Sequence, residues 1–141
     1  MPHRPDEVSQ RVIALFAAIN RRYAHESESA AAGHGLTPLQ AKALQAALEP
    51  TPMRKVAEQL GAEPSNLTPV VDRLEARGLV ERSPSPDDRR VKVVAATEEG
   101  RTVAADLRAR MPFAADPLQA LDPAQRAALG DLLQLIADTR P

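Results

Sequence analysis

The sequence predicts a mainly α-helical protein that carries one small β-hairpin. Only 2% of its 141 residues are aromatic, so the core must be built from aliphatic side chains, among which Ala and Leu favour helices. Apolar residues recur every three or four positions along most of the chain, as on one face of a helix. Between residues 79 and 95 the pattern changes to two β-branched stretches around a turn rich in Pro, Ser and Asp, which predicts a hairpin.

The composition excludes several classes of protein. With 43% apolar and 26% charged residues, the chain is typical of a folded globular protein rather than a disordered one. The absence of cysteine removes disulfides, cysteine-ligated metals and thiol chemistry, and it fits a reducing cytoplasm. No apolar run approaches the roughly 20 residues of a membrane span, and the first residues lack the apolar stretch of a signal peptide. We therefore expect a soluble, cytoplasmic protein with no membrane partner.

The first half of the chain predicts two helices. The first covers residues 6–28, and the small residues and glycines of 29–35 then indicate a loop or a frayed helix end. Thr37 is a typical N-cap and Pro38 suits the first helical position, so a second helix begins there. It ends at 49–52, because proline disfavours a helical conformation in the residue before it.

The middle of the chain predicts a helix-turn-helix followed by a wing. A short helix at 53–60 is joined by three residues, 62–64, to a third helix at about 65–76. Two short helices linked by a tight turn containing glycine are typical of a helix-turn-helix. The strands predicted at 79–82 and 90–95 follow directly, and a two-stranded ribbon in that place is a wing.

The end of the chain predicts two more helices. Thr97 caps the first, which runs to about Met111 before Pro112 and Pro117 interrupt the chain. Asp122, followed by proline, begins the last helix.

The first and last helices carry apolar faces that the central core does not need. Three helices with a wing are nearly complete without them, so their apolar surfaces require a partner. We therefore expect a homodimer. Residues 1–35 form an N-terminal dimerisation helix, 36–97 a winged helix-turn-helix DNA-binding core, and 98–141 the C-terminal dimerisation helices.

The start of the third helix carries short polar side chains. In a helix-turn-helix the second helix enters the major groove N-terminus first, where Ser65, Asn66 and Thr68 can read base edges. Arg73 can reach a phosphate or a guanine edge. The alternative is that these residues only cap the helix. With Ser65 as N-cap, Pro69 falls at the fifth position, so we expect the helix to start late or to bend slightly.

The wing carries a second cluster of charged residues at 87–92. Arginine commonly binds phosphate or a narrow minor groove, whereas a solvated turn shaped by an Asp–Arg pair is the alternative, and we expect both. The net charge of −1, with eight basic and seven acidic residues within 53–92, means that DNA binding depends on where charges lie rather than on their number. The full set of candidate DNA-binding residues is Arg54, Ser65, Asn66, Thr68, Arg73, Asp88, Arg89, Arg90 and Lys92.

From residue 36 to residue 100 the chain resembles the MarR family of bacterial regulators. Four stretches carry the resemblance, in the family's order and spacing: Pro-Ser-Asn-Leu-Thr at 64–68, Val-Asp-Arg-Leu-Glu-Ala-Arg-Gly-Leu-Val-Glu-Arg at 71–82, Asp-Asp-Arg-Arg at 87–90 and Thr-Glu-Glu-Gly at 97–100. The resemblance implies a homodimer, held by the N- and C-terminal helices, that binds palindromic operators and usually represses transcription.

The resemblance also implies roles for individual residues. Asp88 and Arg90 match the family's Asp-x-Arg element of the wing. Asp72 matches an acid of the recognition helix that pairs with the wing arginine. On this basis we expect Arg90 to be partly structural and Arg89 to be more exposed. Pro69 stands where relatives vary and removes a side-chain donor from the DNA side of the helix, so sequence specificity is not carried over from the family.

The resemblance further implies a small effector, often aromatic or anionic, that fills a cleft between the dimerisation and DNA-binding parts and releases the DNA. His25 and His34 lie near that expected region. A metal or anion site there and plain solvent exposure are the two alternatives, although zinc needs three or four ligands. We expect no cofactor.

The sequence offers little support for an enzyme. Asp87 and Asp88 form a carboxylate pair, but they lie on a turn beside arginines, and neither a supported Ser/His/Asp set nor a glycine-rich phosphate loop is present. The remaining alternative is a winged-helix module that contacts only other proteins. Salt-dependent binding to duplex DNA distinguishes the two.

Overall fold

The computed structural model describes residues 4–140, and it confirms the mainly helical fold with a small sheet. Over these residues the elements follow one another in this order: α1 (Glu7–Ala32), α2 (Pro38–Ala46), β1 (Thr51–Pro52), α3 (Met53–Leu60), α4 (Pro64–Ala76), β2 (Val80–Pro84), β3 (Lys92–Ala96), α5 (Glu98–Ala109), α6 (Pro112–Ala115) and α7 (Pro123–Ala137).

Three predicted helix starts are confirmed by their capping bonds. The Thr37 hydroxyl accepts the Gln40 N–H while the Gln40 side chain accepts the Thr37 N–H, and Asp122 begins α7 with the same reciprocal pair. Thr97 accepts the Gly100 N–H at the start of α5. These side chains satisfy N–H groups that have no partner inside the helix, which is why the helices begin there.

The first helix is longer than predicted. It continues to Ala32, through half of the predicted loop, because Ala30 and Ala31 are buried in the core. Small side chains let the end of α1 approach α2 closely. The chain leaves the helix at Gly33, and Gly35 then takes a positive φ of 66° that favours glycine.

The sheet has a third strand that was not predicted. β1 pairs antiparallel with β3, Thr51 opposite Val94, and the sheet order is β1-β3-β2. A two-residue strand is too short to show alternation in sequence. β2 extends two residues beyond the predicted strand end, as far as Pro84, which pairs with Lys92 at the start of β3. Arg89 and Arg90 of the wing therefore lie in the turn, although Arg90 was predicted to begin the returning strand.

The core lies between α2, α3, α4, α5 and the sheet. Its largest fully buried side chains come from these elements and the segments joining them: Leu44, Val56, Leu67, Val71, Leu74, Leu79, Val80, Val94 and Leu107. No residue of α7 is buried, and α1 contributes only two alanines. None of the helices within residues 4–140 combines the length and hydropathy that crossing a membrane requires.

Gly100 is the position where the wing and α5 pack most closely. A Cβ on Gly100 would overlap the carbonyl oxygen of Leu79 and lie 3.2 Å from Leu44 Cδ1. The Thr97 N–H also donates to the Leu79 carbonyl, at 3.0 Å. Since the obstacle is backbone, α5 must move away from the wing to accept any side chain at this position.

We expect Gly100→Ala to lower the free energy of unfolding by about 2–3 kcal/mol, because overpacking at a rigid contact costs this much. Urea unfolding followed by circular dichroism measures it. Gly130→Ala is the matched control, since a Cβ there meets no atom of its own protomer within 4 Å. Equal stability of the two variants would contradict the packing argument.

Candidate DNA-binding interface

The orientation of α4 is set by its buried face. Leu67, Val71 and Leu74 pack into the core at helical spacing. Gly61, in the left-handed conformation with φ 61°, ends α3 and turns the chain toward α4. The predicted base-reading residues Ser65, Asn66 and Thr68 lie at other positions of α4, and all three are exposed.

The N-terminus of α4 differs from the prediction. Its N-cap is Glu63, whose side chain makes no capping bond, and Pro64 occupies the first helical position. The prediction of Ser65 as N-cap is therefore wrong: proline has no N–H to satisfy, and its fixed φ suits this position. Ser65 and Asn66 are exposed, and within residues 4–140 neither side chain has a hydrogen-bond partner. Both are free to contact a ligand.

Pro69 lies inside α4, and the helix continues through it. The expected late start is wrong, since α4 begins one residue earlier than predicted. Pro69 cannot donate to the Ser65 carbonyl, so this carbonyl loses its usual helical partner. One residue earlier, the Thr68 hydroxyl donates to the Pro64 carbonyl at 3.2 Å, which occupies the only hydrogen that the Thr68 side chain can offer.

Arg73 lies seven residues after Asn66, and two helical turns place them on the same side of α4. Both are exposed. The amide predicted to read a base and the guanidinium predicted to reach a phosphate thus lie on one face of the helix.

Arg82 on β2 joins the wing to α4. Its Nη2 lies 2.5 Å from Asp72 Oδ1 and 3.0 Å from Glu75 Oε1, and its backbone N–H donates to Glu75 Oε2 at 3.1 Å. The hydrogen bond from the Arg82 side chain is the main cause that lowers the pKa of the Glu75 carboxyl below its ordinary value. The Arg82 side chain is 27% exposed, the least of the three.

Sequence reasoning missed this role of Arg82. The expectation that Asp72 pairs with the wing arginine Arg90 is wrong, because Asp72 contacts Arg82 instead. Asp72 and Glu75, three residues apart on one helix face, are a visible signal for a shared cation. The identity of that cation depends on how β2 returns beside α4, which the spacing alone does not give.

The wing tip is a turn at 85–91 closed by two backbone bonds. Ser85 N–H donates to the Val91 carbonyl, and Val91 N–H donates to the Asp88 carbonyl. The Asp88 carboxylate accepts the Arg90 backbone N–H at 3.0 Å and its Nε–H at 3.3 Å. Asp88 therefore shapes the turn, while the Arg90 side chain is still 93% exposed, and Arg89 beside it is exposed as well.

A shallow cleft of about 280 Å³ includes two of the predicted residues, Thr68 and Lys92, in its lining. It is lined by Met53 of α3, three residues of the first turns of α4, Arg82 of β2 and Lys92 of β3. Thr68 is one of the α4 residues. Arg54, next to Met53, is exposed at the start of α3. Three separate elements thus place polar and cationic side chains around one depression.

The two histidines differ from each other. His25 is exposed on α1, whereas His34 Nε2 is hydrogen-bonded to Asp106 Oδ2 at 2.6 Å, and Arg110 Nε lies 2.8 Å from the same oxygen. The bond with His34, and less strongly the Arg110 charge, lower the pKa of the Asp106 carboxyl. Within residues 4–140, the structure has no group of three His, Asp or Glu side chains that could hold a metal ion.

A larger cleft of about 420 Å³ lies on another side of the core, where α1, α2, α3 and α6 meet. Its lining includes Tyr23 of α1, Lys42 of α2, Leu60 of α3, and Arg108 and Met111 at the end of α5. Lys42 and Arg108 are exposed, and neither forms an ion pair within residues 4–140. The cleft therefore combines apolar walls with two available cations.

Because the Glu75 pKa is lowered, its ion pair stabilises the fold above its ordinary pKa of 4.5, and the contribution is lost as pH falls through the lower folded-state pKa. We expect Glu75→Gln to lower the melting temperature at pH 7 by about 2–4 °C, and this deficit to shrink as pH falls below 4.5. Glu81→Gln, an exposed change on the adjacent strand, should have no effect over the same pH range. A Glu75→Gln deficit that does not shrink on acidification would overturn the ion-pair account.

Comparisons with known proteins agree with this winged helix-turn-helix arrangement. The family model for the MarR family matches residues 36–92. Among solved structures, the chain is similar to CouR from Rhodococcus jostii RHA1, which was solved bound to p-coumaroyl-CoA. The two are 32% identical, with a TM-score of 0.75, over 97% of this chain and 99% of that one. No curated protein sequence matches the chain.

Two further solved structures are similar to the chain over nearly its whole length. A MarR-family transcriptional regulator from Rhodococcus sp. RHA1 is 31% identical over 95% of this chain and 97% of its own, with a TM-score of 0.69. AbsC from Streptomyces coelicolor is 22% identical over 96% of each chain, with a TM-score of 0.76, and shows the shared fold. The chain belongs to the MarR family and is a DNA-binding transcriptional regulator with a winged helix-turn-helix fold.

Proposed function

We propose that this regulator is a repressor that binds a palindromic operator as a homodimer. Residues 36–97 contact the DNA, and 1–35 together with 98–141 form the dimer. The observation that carries the proposal is the uncapped N-terminus of α4. Ser65 and Asn66 are exposed there, and neither side chain has a hydrogen-bond partner within residues 4–140.

Exposed apolar side chains support the dimer. They cover both helices outside the core and are Val8, Val12, Ile13, Leu15, Phe16, Ile19 and Tyr23 on α1, and Leu132, Leu133, Leu135 and Ile136 on α7. Contiguous exposed apolar surface of this kind marks a protein interface. A two-fold dimer presents two recognition helices about one turn of DNA apart, which matches a palindrome.

Each element has its own role on the duplex. The Ser65 and Asn66 side chains read base edges in the major groove, and Arg73 on the same helix reaches a phosphate or guanine. Thr68 contributes as an acceptor, since its hydrogen is bonded to Pro64. These contacts give sequence preference, because base edges differ where phosphates do not.

The cations hold the protein on the backbone. Arg54 and Lys92 flank the α4 N-terminus and neutralise phosphates, while Arg89 and Arg90 at the wing tip reach phosphate or the minor groove. Asp88 acts indirectly, by shaping the turn that presents Arg90.

Selection of bound sequences from random duplex DNA tests the proposal. We expect a palindrome with half-sites one helical turn apart, and a dimer in gel filtration at micromolar concentration. A stable monomer, or no duplex binding at low salt, would overturn the proposed repressor and favour the protein-interaction module.

On the selected operator, Asn66→Ala should weaken binding by about 1–3 kcal/mol and relax the sequence preference at one base pair. Arg89→Ala should weaken binding to all sequences alike, and it should reduce the slope of log affinity against log salt concentration by about 1.

The matched control for Arg89→Ala is Arg101→Ala, which removes an exposed arginine of α5 outside the proposed interface. It should leave operator affinity unchanged within about twofold. If Asn66→Ala and Arg89→Ala both bind like the parent chain, the residue assignment is wrong even where DNA binding itself is observed.

We also infer a small aromatic or anionic effector, on the evidence of the 420 Å³ cleft. Tyr23, Leu60 and Met111 offer an apolar wall to a ring, and Lys42 and Arg108 offer charge to an anion. CouR, to which the chain is 32% identical, was solved with an aromatic acyl-CoA, which combines both features. Because Leu60 belongs to α3, an occupant of the cleft touches the helix-turn-helix directly.

Calorimetric titration with benzoate, p-coumarate and p-coumaroyl-CoA tests the effector. We expect at least one of the three to bind and to lower the affinity for the operator. Lys42→Ala should lower the affinity for that ligand by about tenfold, because a charged hydrogen bond is lost. Lys55→Ala, an exposed lysine of α3 that does not line the cleft, is the control and should leave ligand affinity unchanged. Absence of binding by all three, or equal losses in the two variants, would contradict this assignment.

A further inference from the structure

Helix α6 has only four residues, Pro112–Ala115, and it lacks a capping side chain of its own. A helix of one turn is not stable by itself, because the cost of the first turn is not repaid by further bonds. Something outside α6 must therefore hold it in place.

Glu26 of α1 supplies the missing cap. Its Oε1 accepts the Ala114 N–H at 2.8 Å, and Ala114 is the third residue of α6, where an N-cap side chain usually binds. The carboxylate also suits the positive end of the helix. Glu26 thus does from α1 what a local Thr or Asp does in α2, α5 and α7.

A second contact lies one turn earlier on α1. Arg22 Cζ lies 4.1 Å from the centroid of the Phe113 ring, a cation–π arrangement. Arg22 and Glu26 are four residues apart, so they lie on one face of α1. Two side chains on this face therefore fasten two successive residues of α6.

The position of α6 matters to two other parts of the molecule. Met111, Ala114 and Ala115 line the 420 Å³ cleft, so α6 is one of its walls. The chain then runs through 116–122 into α7, none of whose residues is buried. Within its own protomer, α7 is therefore placed mainly by its connection to α6.

We propose that Glu26 is a positioning residue that fixes α6 as a wall of the cleft and, through α6, fixes where α7 begins. The proposal deepens the regulation of the effector site and rests on the proposed dimer. In the dimer, the place of α7 sets the separation of the two recognition helices. A ligand that presses on α6 thereby changes the operator spacing that the dimer accepts.

Hydrogen exchange of the full-length protein tests the first step without any ligand. We expect Glu26→Ala to speed exchange of the amides at 113–116, and of the first turn of α7, by about tenfold, with the core strands and α4 unchanged. Glu26→Gln retains an acceptor oxygen and should restore most of the protection. Glu28→Ala, an exposed acid of the same helix, is the control. Unchanged exchange at 113–116, or a uniform rise across the whole chain, would overturn the proposal.

Operator spacing tests the second step. On duplexes whose half-sites are moved apart or together by one base pair, the parent protein and Glu26→Gln should keep a clear preference for the selected spacing. Glu26→Ala should bind the three spacings within about threefold of one another, since a loose α7 no longer fixes the separation. A full spacing preference in Glu26→Ala would overturn the link to α7. If no operator exists for the parent protein, the proposed function fails, while the exchange data still decide the role of Glu26.

Discussion

The contact of Arg82 with Asp72 and Glu75 is the constraint on which the DNA-binding surface depends. The recognition helix and the wing are separate elements, and each is exposed on the side that meets DNA. Only a fixed angle between them lets one molecule use the major groove and the flanking backbone together. Exposed ion pairs contribute little to stability, so the value of this one lies in orientation. Gly100 also constrains the position of the wing, because its close approach to the Leu79 carbonyl fixes the base of the wing against α5.

The charges explain how a protein with a net charge of −1 binds a polyanion. Three of the seven acids within 53–92 are paired locally: Asp72 and Glu75 share Arg82, and Asp88 is paired with Arg90. The remaining cations are left at the edges of the α4 N-terminus, on β3 and at the wing tip. The same acids that lower the net charge therefore shape the surface that presents the cations. The placement of the charges, rather than the total charge, determines the field at this surface.

Local signals predicted most of this fold. Most misses involve distant residues, and the N-cap of α4, which is Glu63 rather than Ser65, is a local exception. Helices α2, α5 and α7 were placed by their caps, and α3 by its period and by Gly61, since caps and period depend on neighbours in sequence. Strand β1, the partner of Asp72, and the Glu26 cap of α6 each depend on a segment far along the chain. The end of α1 was misjudged because the burial of Ala30 and Ala31 outweighs the weak breaking tendency of small residues. Of the candidate site, the residue types were predictable but their contacts were not.

Helix α3 connects the cleft beside the α4 N-terminus with the 420 Å³ cleft. Its first residue, Met53, lines the cleft on the DNA side, and its last, Leu60, lines the cleft proposed for the effector. Eight residues of helix span about 12 Å, a distance over which a helix moves as a rigid rod. A ligand that displaces Leu60 therefore displaces Met53 and Arg54 as well, on the side where α4 meets DNA. In the proposed dimer, the second route, through α6 and α7, would alter the separation of the two half-sites instead. One cleft can thus affect both the shape of each DNA-binding unit and the distance between the two units, because its walls belong to both parts of the fold.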